Sequence, residues 1–266
     1  MSAIVTSLMP EQQGKHEMRA AMAEIVLVPG FWLGAWAWEE VTPELRAAGH
    51  DVYPLTLTGL ADRAAEATPD VDVYTHTDDI VRLVDGNGLR DVVLVGHSGA
   101  NLPVTGAADR IPDRIARIVY VDTGPLPGGM AVIDFNEPQT QEEWRKRVAE
   151  EGDGWRLPVP QFDPAADPDN LAGLTGEHLA RIAELATPQP FATATRPLDR
   201  PIPPPDTPCS VIASTFTPEQ VRMLADSGNP VFEPMAGMDL HHLPTGHWPM
   251  FSRPIELASL LAEIAR

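Results

Sequence analysis

The chain has 266 residues, 43% of them hydrophobic, and a formal charge of -19. That is enough to bury the core of one large α/β domain and too acidic to attract a nucleic-acid backbone or an anionic membrane surface. Its one cysteine, Cys209, excludes an internal disulfide framework, and no apolar stretch approaches the roughly 18 to 20 residues that cross a bilayer as a helix.

Residues 1–23 hold a short apolar patch, Ala3 to Met9, then polar Glu11 to Lys15, without the basic start and long apolar centre of a signal peptide. The expectation is a cytoplasmic protein with an N-terminal arm, packed on the body or on the partner of a homodimer. From residue 24 onward, short continuous apolar runs recur at Ile25 to Val28, Val52 to Leu57, Val92 to Val95 and Ile118 to Val121. Continuous rather than alternating, they read as parallel strands covered on both faces. Helices are expected between them: Trp36 to Ala48 stopped by Gly49, Thr77 to Leu83 capped by Thr77, and Leu102 to Asp109. The alternation predicts right-handed βαβ crossovers and an α/β fold with a doubly wound, mostly parallel sheet. From 125 to 206 the regularity gives way to proline, acidic residues and isolated aromatics (Phe135, Trp144, Trp155, Phe162, Phe191), with helices expected at Gln141 to Glu151 and Gly176 to Leu185. Such a stretch reads as an inserted, partly helical and partly irregular cap, with the core in 24–124 and 207–266. A strand from Cys209 to Ser214 follows, with Cys209 as a buried strand residue. Thr217-Pro218-Glu219-Gln220 then forms a capping box that opens a helix to about Asp226. A last strand near Asp239 to Leu243 and an amphipathic helix Ile255 to Ala265 close the chain.

Chemistry concentrates at Gly96-His97-Ser98-Gly99-Ala100, where the third apolar run stops and a hydroxyl sits between small residues. A strand that turns sharply into a helix needs small neighbours there to project a strained serine into a cleft, so Ser98 is the expected nucleophile. Ala100 stands where such a motif has its last glycine, a small change in packing. A serine hydroxyl needs a base, and His247, late in the chain in Thr245-Gly246-His247-Trp248, has the right order and loop placement. Two amides must hold the oxyanion: that of Gly99, directly after the nucleophile, and that of Phe31, exposed by the turn at Gly30. The aromatics around them suggest an apolar pocket, with Trp32, Trp36, His97, Phe135 and Trp144 as its expected lining. His241 and His242 point to opposite faces of their strand and cannot chelate together, so neither a metal nor a cofactor is expected.

Four stretches, Val26 to Val52, Val92 to Asn101, Ile118 to Gly129 and Thr245 to Pro254, resemble the α/β-hydrolase fold superfamily in its small esterase and hydroxynitrile lyase-like branch. The resemblance covers the scaffold but neither the cap nor the arm. Members usually read His-Gly where this chain has Pro29-Gly30, which removes a side chain from the oxyanion loop but not its amide. They also usually place an aspartate just beyond the strand that here ends at Ser214, yet Ser214-Thr215-Phe216-Thr217 carries no carboxylate. Asp122, directly after the fourth apolar run, is the leading candidate to complete a triad, with Glu219, another residue or no acid at all left open. The lyases of this branch place a lysine after the catalytic histidine, where this chain has Trp248. The leading expectation is a serine hydrolase that cleaves a carboxylic ester of a small or medium hydrophobic metabolite. The alternatives are a non-hydrolytic lyase, cyclase or isomerase on the same scaffold, and a ligand-binding protein with a decayed site.

Overall fold

The computed structural model describes residues 22–266. The arm expected over residues 1–23 lies outside the described residues except for its last two positions. In chain order the elements begin with β1 (Glu24–Val28), α1 (Val41–Ala47), β2 (Asp51–Pro54), α2 (Val73–Gly86), β3 (Val92–His97), α3 (Asn101–Arg110) and β4 (Ile115–Val121). A long excursion then holds α4 (Pro138–Glu151), β5 (Arg156–Leu157), α5 (Gly176–Leu185), β6 (Gln189–Pro190) and α6 (Ala192–Thr195). The chain returns through β7 (Cys209–Ala213), α7 (Pro218–Asp226), β8 (Asp239–His242), α8 (Pro249–Ser252) and α9 (Pro254–Ile264).

Among the described residues, six strands pair in the order β2-β1-β3-β4-β7-β8, each parallel to its neighbour, while β5 and β6 form a separate antiparallel pair. Alternation along each strand sorts its side chains between two layers. Ile25, Leu27, Val93, Val95 and Val119 pack with Leu45 of α1 and Leu257 and Leu261 of α9. Val26, Val28, Leu94 and Tyr120 face the other way, onto Ile80 of α2, Val104 of α3 and Val221 of α7. The sheet is therefore doubly wound. Because the chain leaves β1 toward β2 and re-enters on the other side at β3, the carboxyl ends of β1 and β3 open a crevice at the point where the winding reverses.

Several expected elements are corrected. The helix expected over Trp36 to Ala48 is broken into a 3-10 turn, Ala35–Trp38, and α1. Pro43 has no N–H and its ring would strike the carbonyl of Glu39, so one helix cannot run through both. Thr77 does not cap α2: Asp72 does, accepting from the amides of Tyr74 (2.9 Å) and Thr75 (3.1 Å), while Thr77 is buried inside the helix and bonds the Val73 carbonyl. β2 stops at Pro54 on the edge of the sheet, after which only the Leu55 amide still bonds the Leu27 carbonyl of β1, at 3.0 Å. Cys209 is only half-buried at the start of β7, and the burial it does have pushes its thiol up to about 11.

Candidate active site

Ser98 leaves β3 with φ +50° and opens a 3-10 turn that runs into α3. A non-glycine residue holds that conformation only where its surroundings fix it. Here the fixing is steric: a Cβ on Gly96 would lie 2.8 and 2.9 Å from the γ-methyls of Val104, so strand and helix meet this closely only over a glycine. Ala100, fully buried one turn on, is accommodated.

The loop Thr245 to Trp248 brings His247 over the serine. Its Nε2 lies 2.8 Å from Ser98 Oγ and its Nδ1 lies 2.6 Å from Asp122 Oδ2. An ionised carboxylate only accepts, so Nδ1 carries the proton and the Nε2 lone pair faces the hydroxyl. Asp122 follows β4 at φ +48° and is almost fully buried. Burial by itself would raise its carboxyl. The bond to His247 and that ring's charge, with the amides of Thr215 and Ser214, outweigh this and hold it down at about 2. Ser214 and Thr215 are the residues that follow β7, where the resemblance leads one to look for an acid. Their amides each donate to Asp122 Oδ1 at 2.9 Å, and the Thr215 hydroxyl adds a third bond. The β7 loop therefore supplies donors to a carboxylate brought by β4. Glu219 is fully exposed on α7, near Arg222, and takes no part.

Phe31 and Gly99 are adjacent across the crevice. A Cβ on Gly99 would fall 2.5 Å from the Phe31 ring, and one on Gly30 would fall 2.9 Å from Ser98 Cβ. Gly30 thus lets the β1 loop come down onto Ser98. Gly99 is the second residue of a 3-10 turn, where an amide has no carbonyl partner within the turn. Trp32 is pinned in a left-handed conformation (φ +67°), its amide on Gln189 Oε1 at 3.0 Å and its indole N–H on the Leu157 carbonyl at 3.3 Å.

The model of the Alpha/beta hydrolase family matches residues 25–260. The chain belongs to the alpha/beta hydrolase family. It is 28% identical over 259 residues to a carbendazim hydrolyzing esterase of Nocardioides sp., an alignment covering 91% of this chain and 100% of that protein. It is 30% identical over 268 residues to Methylesterase 7 of Arabidopsis thaliana, covering 91% of this chain and 96% of that one. Among solved structures, an extracellular alpha/beta-hydrolase from a Paenibacillus species superposes with a TM-score of 0.76 at 22% identity, over 91% of this chain and 98% of that chain. Within the family the chain falls in the esterase branch, and it is an enzyme of the hydrolase type.

A cavity of about 600 Å³ opens at Ser98. On one side Trp32 meets Phe31, Trp144 and Phe162 edge-on, with ring centroids 5.9, 6.5 and 6.3 Å apart. On the other, Phe232 meets Phe135 and Phe216 at 6.0 and 5.6 Å, beside Met235. Trp32, Phe135 and Trp144 therefore line the pocket as expected, and two expected residues do not. Trp36 stacks on Phe251 of α8 at 5.7 Å, on the α1 and α9 side of the sheet. His97 lies wholly buried, covered by the His247 and Trp248 rings and backed by the Gly30 turn, and so does not reach the cavity. Phe162 was visible in the sequence only as an isolated aromatic. Phe232 caps and Met235 ends a 3-10 turn, Glu233–Met235, and had no periodic signal to reveal them.

Proposed function

We propose that this chain is a cofactor-independent serine esterase acting on a carboxylic ester of a small or medium hydrophobic compound. Ser98 Oγ attacks the ester carbonyl as its proton passes to His247 Nε2, and Asp122 fixes the ring in the tautomer that can receive it. The Phe31 and Gly99 amides face the oxygen where charge develops. The intermediate then expels the alcohol, protonated by His247, and leaves an acyl group on Ser98. Water activated by the same imidazole releases it as the acid.

The observation that carries this reading is the unbroken Ser98, His247, Asp122 relay, with bonds of 2.8 and 2.6 Å, in the wall of an aromatic-lined cavity. An intact relay also counts against a decayed, ligand-holding site. Residues 125–206 serve in this reading as the cap, since Trp144 and Phe162 come from them. The lining includes Asp163 and Asp167 and, among the described residues, no lysine or arginine, which favours esters without a negative charge. Stopped-flow hydrolysis of p-nitrophenyl esters of rising acyl length tests it. A burst of one p-nitrophenol per protein, then slower turnover, is expected, with neither in Ser98→Ala. Folded wild-type protein that hydrolyses none of the series would contradict it.

A further inference from the structure

Relay chemistry accounts for the His247 ring but leaves open what holds its main chain. Two elements grip it from opposite sides. The His247 amide donates to the Asn170 carbonyl at 2.7 Å, and Gly246 donates to the Ala172 carbonyl at 3.1 Å, so a stretch of the excursion between β4 and β7 forms one jaw. The fit is close: a Cβ on Gly246 would lie 2.3 Å from the Asn170 carbonyl oxygen and 2.7 Å from the Ala172 backbone. From the other side, His97 Nε2 lies 2.7 Å from the His247 carbonyl oxygen. A carbonyl only accepts, so this nitrogen carries the hydrogen, and the His97 ring is the neutral Nε2–H tautomer. Its Nδ1 is buried against the Gly30 turn without a hydrogen-bond partner among the described residues. The two imidazoles lie 4.9 Å apart, and Trp248 touches both at 5.2 Å.

The geometry points to His97 as a positioning residue. It stands between the oxyanion loop, the nucleophile and the base: its backbone joins Ser98, its ring backs Gly30, and its Nε2–H fixes the carbonyl of His247. With the Asn170 carbonyl it forms a main-chain clamp that sets the base at bonding distance from Ser98 and Asp122 before any substrate arrives. The clamp needs a neutral donor at the Nε2 place, which a glutamine can also present and a leucine cannot. This inference rests on the esterase reading.

His97→Leu and His97→Gln, with Ser98→Ala beside them, test it on the best ester substrate. In His97→Leu, kcat should fall by ~10–100-fold with KM within about twofold, as expected of a misplaced base, and His97→Gln should recover most of that loss. The low-field proton resonance of the His247 Nδ1–H, present in wild type and His97→Gln, should broaden or shift in His97→Leu. Should His97→Leu fail to fold, Gly246→Ala acts on the opposite jaw and should lower kcat in the same way. A folded His97→Leu with wild-type kcat and an unchanged resonance, or a His97→Gln as slow as the leucine variant, would overturn the clamp. Full activity in Ser98→Ala would instead overturn the esterase reading itself.

Discussion

Asp122 shows how much one side chain depends on its neighbours for its role. Its carboxylate is buried, yet three donors from Ser214 and Thr215 and one from His247 keep it ionised down to about 2. Asp122→Asn keeps the shape but offers the imidazole a donor or a weaker acceptor, so the tautomer is no longer fixed. We expect kcat to fall by ~10³–10⁴-fold with little change in melting temperature, read by steady-state kinetics and calorimetry. The Thr215 hydroxyl donates to the carboxylate and so favours its charged form, and Thr215→Val should raise the Asp122 pKa, seen as a shift of its carboxyl carbon titration in NMR. A variant that titrates like wild type would show that the two amides suffice. In the sequence, the acid was the least legible member of the relay. The residues after β7 carry no carboxylate, and only the spatial adjacency of β4 and β7 reveals that Ser214 and Thr215 serve one brought from next door.

At the scale of elements, what could be read followed from short-range rules, and what could not followed from packing. The Thr217 to Gln220 capping box forms as written, with Gln220 Oε1 accepting the Thr217 amide at 2.7 Å and Thr217 Oγ1 accepting the Gln220 amide at 3.2 Å. The elbow was legible because Gly96, Ser98 and Gly99 each meet a steric need that few other residues meet. Gly96→Ala should accordingly press a methyl into the branched Val104 side chain and cost about 1–3 kcal/mol in urea unfolding, since that side chain cannot swing aside as a lysine would. His97 and Trp36 were read as pocket residues from proximity along the chain. His97 is kept from the cavity by the His247 and Trp248 rings, from the far end of the chain, and the stacking of Trp36 on Phe251 joins residues over two hundred positions apart, so neither has a local signal. Phe232 and Met235 reach the cavity through the same kind of long-range closure.

For the whole molecule, buried titrating groups set the acid limit of stability. Burial and the neighbouring His247 charge lower His97 to about 3, whereas an unfolded chain protonates near 6.5. Below about pH 6.5 the unfolded state therefore takes up a proton that the folded state refuses, and stability drains away as pH falls toward 3. His76, fully buried against the Thr58 carbonyl and lowered chiefly by burial, acts in the same direction. Asp122 adds its own loss between about pH 4 and 2, as the carboxylate that the native state prefers is protonated. Urea unfolding between pH 7 and 4 should show a shallower decline for His97→Gln than for wild type, and equal slopes would contradict the burial of a neutral ring. Above these acid losses, the proposed esterase rests on the doubly wound sheet, the crevice between β1 and β3 and the loop carrying His247, which together would present an activated serine to the cavity. Labelling with a fluorophosphonate probe, followed by peptide mass spectrometry, tests that claim most directly. The account predicts one adduct per chain on Ser98, lost in Ser98→Ala and slowed strongly in Asp122→Asn. Undiminished labelling of Ser98→Ala, or an adduct on another residue, would contradict it.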